Sequence, residues 1–461
     1  MRNSIEIVGG LGVSLAWYWR ALDFNSQDWD LKWDAESWRR KLTFDAVRFD
    51  TNAFATNAIS HPRTYTLSYV VARSNGLSAF ESFLWTLAAS VAWEYLGEFR
   101  EYPSINDMIM SPISAVATGE TLVQLSSFFA RGSDNLFNNI AAAVFSPPQA
   151  VHNFLDGVSP TRAAWVDRWG FPRDIFHRFE FGVRAGGFVS RPDKSRFKVD
   201  LNADLQLRNL PQYLQAEPYR GWTGPGAVTS LNISVLGNTV GLSWARFFGD
   251  LSLLGHYRQG YQRDEAGDLR GSGLFLGFAT AFDYGTRLRQ NRREDRIGVA
   301  DVLGAMVEFT RRGGGYWLRL EGVAFGNFAL VDSFALERYQ AGRSLEGIKS
   351  VLVERGYYYA FGTTLWPRVR AGYRAWEIGV DIKADYFTSI DGADRYQERL
   401  TNDVHLTDGQ VSARGWVGYH VRVVPMRFSL SIERERRSGT MGGVSDSIAD
   451  ARAMSGVAVV F

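Results

Sequence analysis

The chain has 461 residues, 46 of them glycine and 15 tryptophan, no cysteine, and 51 lysines and arginines against 49 aspartates and glutamates. A formal charge of only +2 with no basic tail argues against a nucleic-acid partner, and the lack of cysteine excludes disulfides and cysteine-held metal. Aromatic residues at 14% with a mean hydropathy of -0.17 exclude a helical membrane protein and suit a wall one strand thick, apolar on one face and polar on the other.

Residues 1–50 form an aromatic and charged segment. Met1 to Glu6 opens no apolar core of the length a secretory signal needs, so an exported form is expected to be a processed chain, and Trp29 to Asp50 has no clear period. Residues 51–175 read as a helical module. Phe54 to Ile59 leads into His61-Pro62, Thr64 to Ser74 stops at Asn75-Gly76, and Ser78 with Glu81 makes a capping box that opens a helix reaching Glu98. Ser104 caps a further helix to Phe129, with an interruption expected at Pro112, and Asp134 to Phe145 is stopped by Pro147-Pro148. The most apolar stretch, Phe83 to Trp93 between Glu81 and Glu94, is shorter than the roughly 20 residues of a membrane helix and reads as buried or interfacial.

Polar residues on these apolar helices carry the chemical interest. Ser90, Glu94 and Glu98, spaced i, i+4, i+8, share one helix face, and the partners on offer are His61, Arg63, Arg73, Asn106 and Glu120. His61, Glu94, Glu98 and Glu120 are the candidates for acid/base work on a lipid head group or for holding a hard cation. The alternative is a polar network of Arg73, Asn75, Ser90, Asn106 and Asp107 that locks the helices together. No spacing matches an established metal motif, so neither metal nor cofactor is expected. Ser74 and Ser78 lack the context of a hydrolase nucleophile, and His256, His405 and His420 are scattered.

His61-Pro62, Tyr69, Ala72-Arg73-Ser74-Asn75-Gly76, Trp93-Glu94-Tyr95, Glu98, Pro103 to Asp107 and Gly119-Glu120 resemble the ordered motifs of a bacterial envelope family of unknown function. The resemblance covers about Asp50 to Ser126. It implies an envelope location and no particular activity.

From residue 176 to 461 the period becomes two. Arg178 to Val189 and Ser195 to Arg208 alternate around a turn at Ser190 to Lys194. Leu274 to Phe282, Asp301 to Thr310, Tyr316 to Phe328, Tyr357 to Trp366, Arg374 to Phe387, Gln410 to Val421, Met426 to Glu435 and Ala451 to Phe461 follow. Ser230 to Arg258 holds two or three more, cut by turns expected at Gly237-Asn238 and Gly249-Asp250. Gly313 to Gly315 is a tight turn, and Leu288 to Arg296 and Ile390 to Asn402 read as longer external loops. Strands of this length, with short turns at one end and longer loops at the other, predict an antiparallel transmembrane β-barrel of about 12 strands, within 10–14.

Arg178, Glu180, Arg184, Lys198, Asp200, Asp204, Glu377, Asp381, Lys383 and Arg427 fall on the inward face. With both signs present they are expected largely to fill the lumen. The last strand, with Val457, Val459 and Phe461 on one face, resembles the C-terminal signal read by the barrel-assembly machinery. The expectation is therefore a bacterial outer-membrane protein with lipid and that machinery as partners, its helical module at the periplasmic mouth and open to a periplasmic partner. It is expected to work as a channel or as a structural or assembly factor, with an outer-membrane lipid-modifying enzyme as the alternative.

Overall fold

Alternating apolar and polar residues become strands because they let a single sheet present one face to each environment. The computed structural model describes all residues except 1, 22–30, 191–195, 239–240, 289–293, 391–401, 403 and 422. The strands are β1 (Phe176–Ser190), β2 (Arg196–Arg208), β3 (Tyr219–Thr223), β4 (Val228–Asn238), β5 (Gly241–Arg263), β6 (Leu269–Leu288), β7 (Glu294–Gly313), β8 (Tyr316–Asp332), β9 (Tyr357–Tyr373), β10 (Trp376–Ser389), β11 (Leu406–His420), β12 (Met426–Met441) and β13 (Val444–Val460). Every pairing is antiparallel. β1 joins β13, β5 joins β6, and the ring closes with 12 strands, while β3 continues the edge of β5 beyond the end of β4. Closure leaves no unpaired edge in the ring.

Gly249 and Asp250 do not form the expected turn. They lie inside β5, the longest strand, with Asp250 turned to the lumen. The tight turn between β7 and β8 does sit on glycine, Gly314 at φ +59 and Gly315 at φ +78. The turn at Ser190 to Lys194 and the loops beginning at Leu288 and Ile390 lie largely outside the described residues.

On β10, Glu377, Asp381, Lys383 and Asp385 are buried while Trp376, Ile378, Val380, Ile382 and Tyr386 are exposed, so the charged face is the interior. Among the described residues the lumen is filled at three levels. At the end carrying the chain's C-terminus, Leu210 and Tyr213 fold inward on Phe248, Phe275 and Phe325. In the middle, charges pair across the barrel, Arg178 with Glu377 at 2.9 Å, Arg208 with Glu321 at 2.7 Å and Lys383 with Asp283 at 2.8 Å, while Arg414 pairs with Asp381 on the adjoining strand at 2.6 Å. Arg370 on β9 meets Asp204 on the opposite wall at 3.5 Å, while Arg184 pairs with Asp200 and Arg427 with Glu180. Lys198 also points inward, half-buried. A polar cavity of about 110 Å³ remains among these side chains, room for a handful of waters. At the other end the β8–β9 loop, with short helices Leu336–Gln340 and Ser350–Arg355, turns inward and seats Leu336, Tyr339 and Leu352 on Val299, Val331, Tyr358 and Phe387.

The N-terminal helices are α1 (Arg2–Ala21), α2 (Ala35–Leu42), α3 (His61–Ser74), α4 (Ala79–Ala92), α5 (Ile105–Arg131), α6 (Leu136–Phe145) and α7 (Pro147–Asp156), with π-helical turns at Thr56–Ser60 and Trp93–Gly97. α2 arises where no period was legible, and α1 in the N-terminal segment read as lacking a secretory core. Pro147 starts α7 from a first-turn position, where its missing N–H costs nothing. Pro112 stands inside α5 without ending it, because burial of Met110, Ala115 and Ala117 on both sides outweighs the lost hydrogen bond.

The helices do not sit across the barrel mouth, as expected from the sequence, but against its outer wall. Met110 and Ala117 pack with Phe282, Ala300, Phe328 and Leu330, whereas Leu125, Phe128 and Phe129 pack with Phe179, Leu205, Leu207 and Leu231, all outward-facing residues. Paired residues Tyr359, Leu330, Gly298, Tyr284, Phe247, Ile233, Ala203 and Phe181 form a line perpendicular to the strands, and α5 runs beside it, packing on residues such as Phe282, Ala300, Phe179 and Leu205 that flank it. Gly298 makes the close approach possible, since a Cβ there would stand 3.0 Å from the Cβ of Ala58.

Candidate functional site

Two polar centres lie within the helical layer. The first forms where α3, α4 and the start of α5 meet, beside both π-helical turns, and such turns often mark functional positions. Ser104 caps α5 and its backbone N–H donates to Glu94 Oε2 at 2.7 Å, while His61 Nδ1 stands 2.9 Å from Asp107 Oδ1. Asn106 Oδ1 accepts from the Asp50 backbone at 3.0 Å and from the Ser104 hydroxyl at 2.8 Å. Asp50 in turn accepts from Asn57 at 2.6 Å and from the Tyr359 hydroxyl at 2.8 Å, which ties the centre to β9. Ser90 donates to the Asp107 carbonyl at 3.3 Å. The π-helical turn adds a residue to the helix, so Glu98 leaves the face shared by Ser90 and Glu94. It accepts from the Trp93 indole at 2.8 Å.

The second centre is separate. Glu120 accepts from Arg73 Nε and from the Tyr69 hydroxyl, both at 2.8 Å, and from Gln124 at 2.8 Å. It is 13 residues along α5 from Asp107, roughly 20 Å at 1.5 Å per residue, so it does not join His61, Glu94 and Glu98. Asn75 caps α3 and donates to Glu6 at 2.8 Å. Arg63 is exposed.

Electrostatics distinguish the first centre. Burial pushes the Glu98 carboxyl up to about 8 and, together with Asp107, Asp50 up to about 6; burial and neighbouring carboxylates hold Glu94 well above the usual carboxylate range. Burial acts to lower the pKa of His61, but Asp107, Glu98 and Asp50 outweigh it and raise the imidazole to about 9. At neutral pH the centre therefore holds an imidazolium at His61 and a protonated Glu98 beside an Asp50 that is mostly ionised, and the first two suit proton donation better than proton abstraction. Glu94 Oε1 and Asp107 Oδ2 are buried without a hydrogen-bond partner, and His61 keeps 20% of its side chain exposed. Among the described residues no three His, Asp or Glu side chains are placed to hold a metal ion.

Asp50, Asn57, Tyr357 and Tyr359 were not singled out from the sequence. They lie at contacts between segments about 300 residues apart, and the consecutive tyrosines 357–359 at a strand start are the one local sign. Ser78 caps α4, His420 pairs with Glu377 at 2.7 Å, His256 packs on Trp222, and His405 lies 3.4 Å from Thr388.

Residues 46–148 match a family described as Domain of unknown function (DUF3943), less than a quarter of the chain. No curated protein matches. Among solved structures, each covering 62% of this chain, the chain is similar to outer-membrane expressed OmpT of Vibrio cholerae at 6% identity, 97% of that chain and a TM-score of 0.23. It is similar also to Pseudomonas putida OprB at 7% identity, 94% and 0.22, and to Pseudomonas aeruginosa OccK1 (OpdK) at 9%, 99% and 0.15. The barrel itself rests on this chain's own closed strand pairing, and the helical layer resembles a family of unknown function.

Proposed function

We propose that this chain is an integral β-barrel protein of a bacterial outer membrane that does not conduct solutes and serves the envelope in a structural or assembly role through its helical layer. Filling of the lumen at three levels carries this reading, because a passive pore needs a continuous aqueous path, whereas among the described residues apolar clusters occupy both ends and paired charges around a polar cavity of about 110 Å³ occupy the middle. The exposed apolar wall is the face lipid would cover, and the last strand is the segment the assembly machinery would read. Phe461 there exchanges backbone hydrogen bonds with Phe179 at 2.8 and 3.0 Å. In planar bilayers the purified chain is expected to give no conductance steps. Stable open currents would refute the sealed reading.

The unpartnered oxygens of Glu94 and Asp107 beside half-buried His61 support a second reading, an enzyme acting on lipid head groups. Deletion would then alter membrane lipid composition, restored by the wild-type chain and not by Glu94→Gln. Full complementation by a folded Glu94→Gln protein would remove the enzyme.

A further inference from the structure

A helix packed on a water-soluble protein turns its apolar stripe inward. α4 does the reverse. Ser82, Thr86, Ser90 and Glu94, every fourth residue, are fully buried against the neighbouring helices, while Phe80 is 68% and Leu84 45% exposed, with Val91 and Leu96 exposed beyond them. Between Glu81 and Glu94 the helix carries no charge. Polar and small residues inside with large apolar residues outside is the arrangement by which helices pack in lipid. α6 and α7 repeat it at the other end of α5, where Leu136, Ile140 and Val144 are exposed and Phe154 is 85% exposed.

The position of the layer on the barrel agrees. The exposed apolar belt of the wall reaches α5 from both sides, through Leu276, Phe278 and Leu303 on one and through Val183, Leu201 and Val235 on the other. The helices therefore interrupt the belt at its own level, and the surface that replaces it is the outer face of α4, α6 and α7. No described helix is long and apolar enough to cross a membrane alone, but α4 is held against the wall through α5 and crosses nothing by itself.

We infer that the helical layer is immersed in the bilayer, with the outer faces of α4 and of the α6–α7 hairpin covered by the acyl chains that surround the barrel. This rests on the membrane-barrel reading above, and the test separates the two. Because the chain has no cysteine, single substitutions give unique labelling sites. Leu84→Cys and Phe154→Cys would be compared with Ile378→Cys on the bare wall and Glu265→Cys in the exposed β5–β6 turn, each carrying a nitroxide, in vesicles of phosphatidylethanolamine and phosphatidylglycerol. Oxygen and a water-soluble nickel chelate serve as collision partners.

The expected result is that the Leu84, Phe154 and Ile378 probes collide with oxygen in preference to chelate, with the order reversed at Glu265. Chelate preference at Leu84 and Phe154 with oxygen preference at Ile378 would overturn the inference alone, in favour of a layer standing in water to meet a protein partner. Chelate preference at Ile378 as well would overturn the barrel reading. Phe80→Cys repeats the test on α4 should Leu84→Cys lose heat-modifiable gel mobility.

Discussion

Replacing Arg73 by methionine removes the cation from a carboxylate that water reaches hardly at all. Glu120 is 1% exposed and accepts four hydrogen bonds, two of them from Arg73 at 2.8 and 3.2 Å and one each from Tyr69 and Gln124. Breaking a buried ion pair by removing one partner costs about 3–5 kcal/mol, and screening at Arg73, whose side chain is 22% exposed, brings the expected loss down to about 2–3 kcal/mol. With a urea dependence near ~2 kcal/mol per molar, the helical unfolding midpoint should fall by about 1–1.5 M. The assay is ellipticity at the helical minimum in detergent micelles, with heat-modifiable gel mobility reporting an intact barrel. Adding Glu120→Gln keeps both neutral donors while removing the stranded charge, so the double variant should recover about 1 kcal/mol or more relative to Arg73→Met. A loss below about 1 kcal/mol, or a double variant no more stable than the single, would show that the pair is not an integral part of the packing.

Two further outcomes follow from the same layer. Glu98 and His61 both hold protons more tightly when folded, at about 8 and about 9, than when unfolded, so the folded layer binds more protons. The contribution of Glu98 is then complete below its ordinary value and lost as pH rises through 8, and that of His61 is complete below 6.5 and lost through 9. The urea midpoint of the helices should decline from pH 6 to about pH 8, above which Lys41, lowered by burial to about 8, acts in the opposite sense, and the decline should be weaker in Glu98→Gln; a flat profile between pH 6 and pH 8 would contradict the assignment. Gly119→Val should be destabilising by about 1–3 kcal/mol by overpacking, because a Cβ at Gly119 would stand 2.7 Å from the Tyr69 ring. A variant with wild-type melting and an unshifted Tyr69 environment would show that the ring gives way freely.

The barrel was legible because a wall one strand thick forces every second residue to the same surface, and Trp376 to Tyr386 state this without interference. The docking of the helices was not, since an outward Phe328 or Leu330 reads identically whether acyl chains or a helix cover it. Gly249-Asp250 misled for a related reason. The pair resembles a turn, yet Gly249 lies beside α5 at Ala117 and Asp250 belongs to the charged interior. At the polar centre the spacing of Ser90 and Glu94 was visible, but the π-helical turn that redirects Glu98, and the pairing of His61 with Asp107, are products of tertiary packing.

The hydrogen bonds from Asn57 to Tyr357 and Tyr359 join positions 300 and 302 residues apart, which has a consequence for how the molecule is made. The helical segment finds its resting place on strands made some 300 residues later, so its apolar side waits uncovered until the sheet it leans on exists. Seating the layer on its barrel is thus a long-range event that the formation of single helices does not complete.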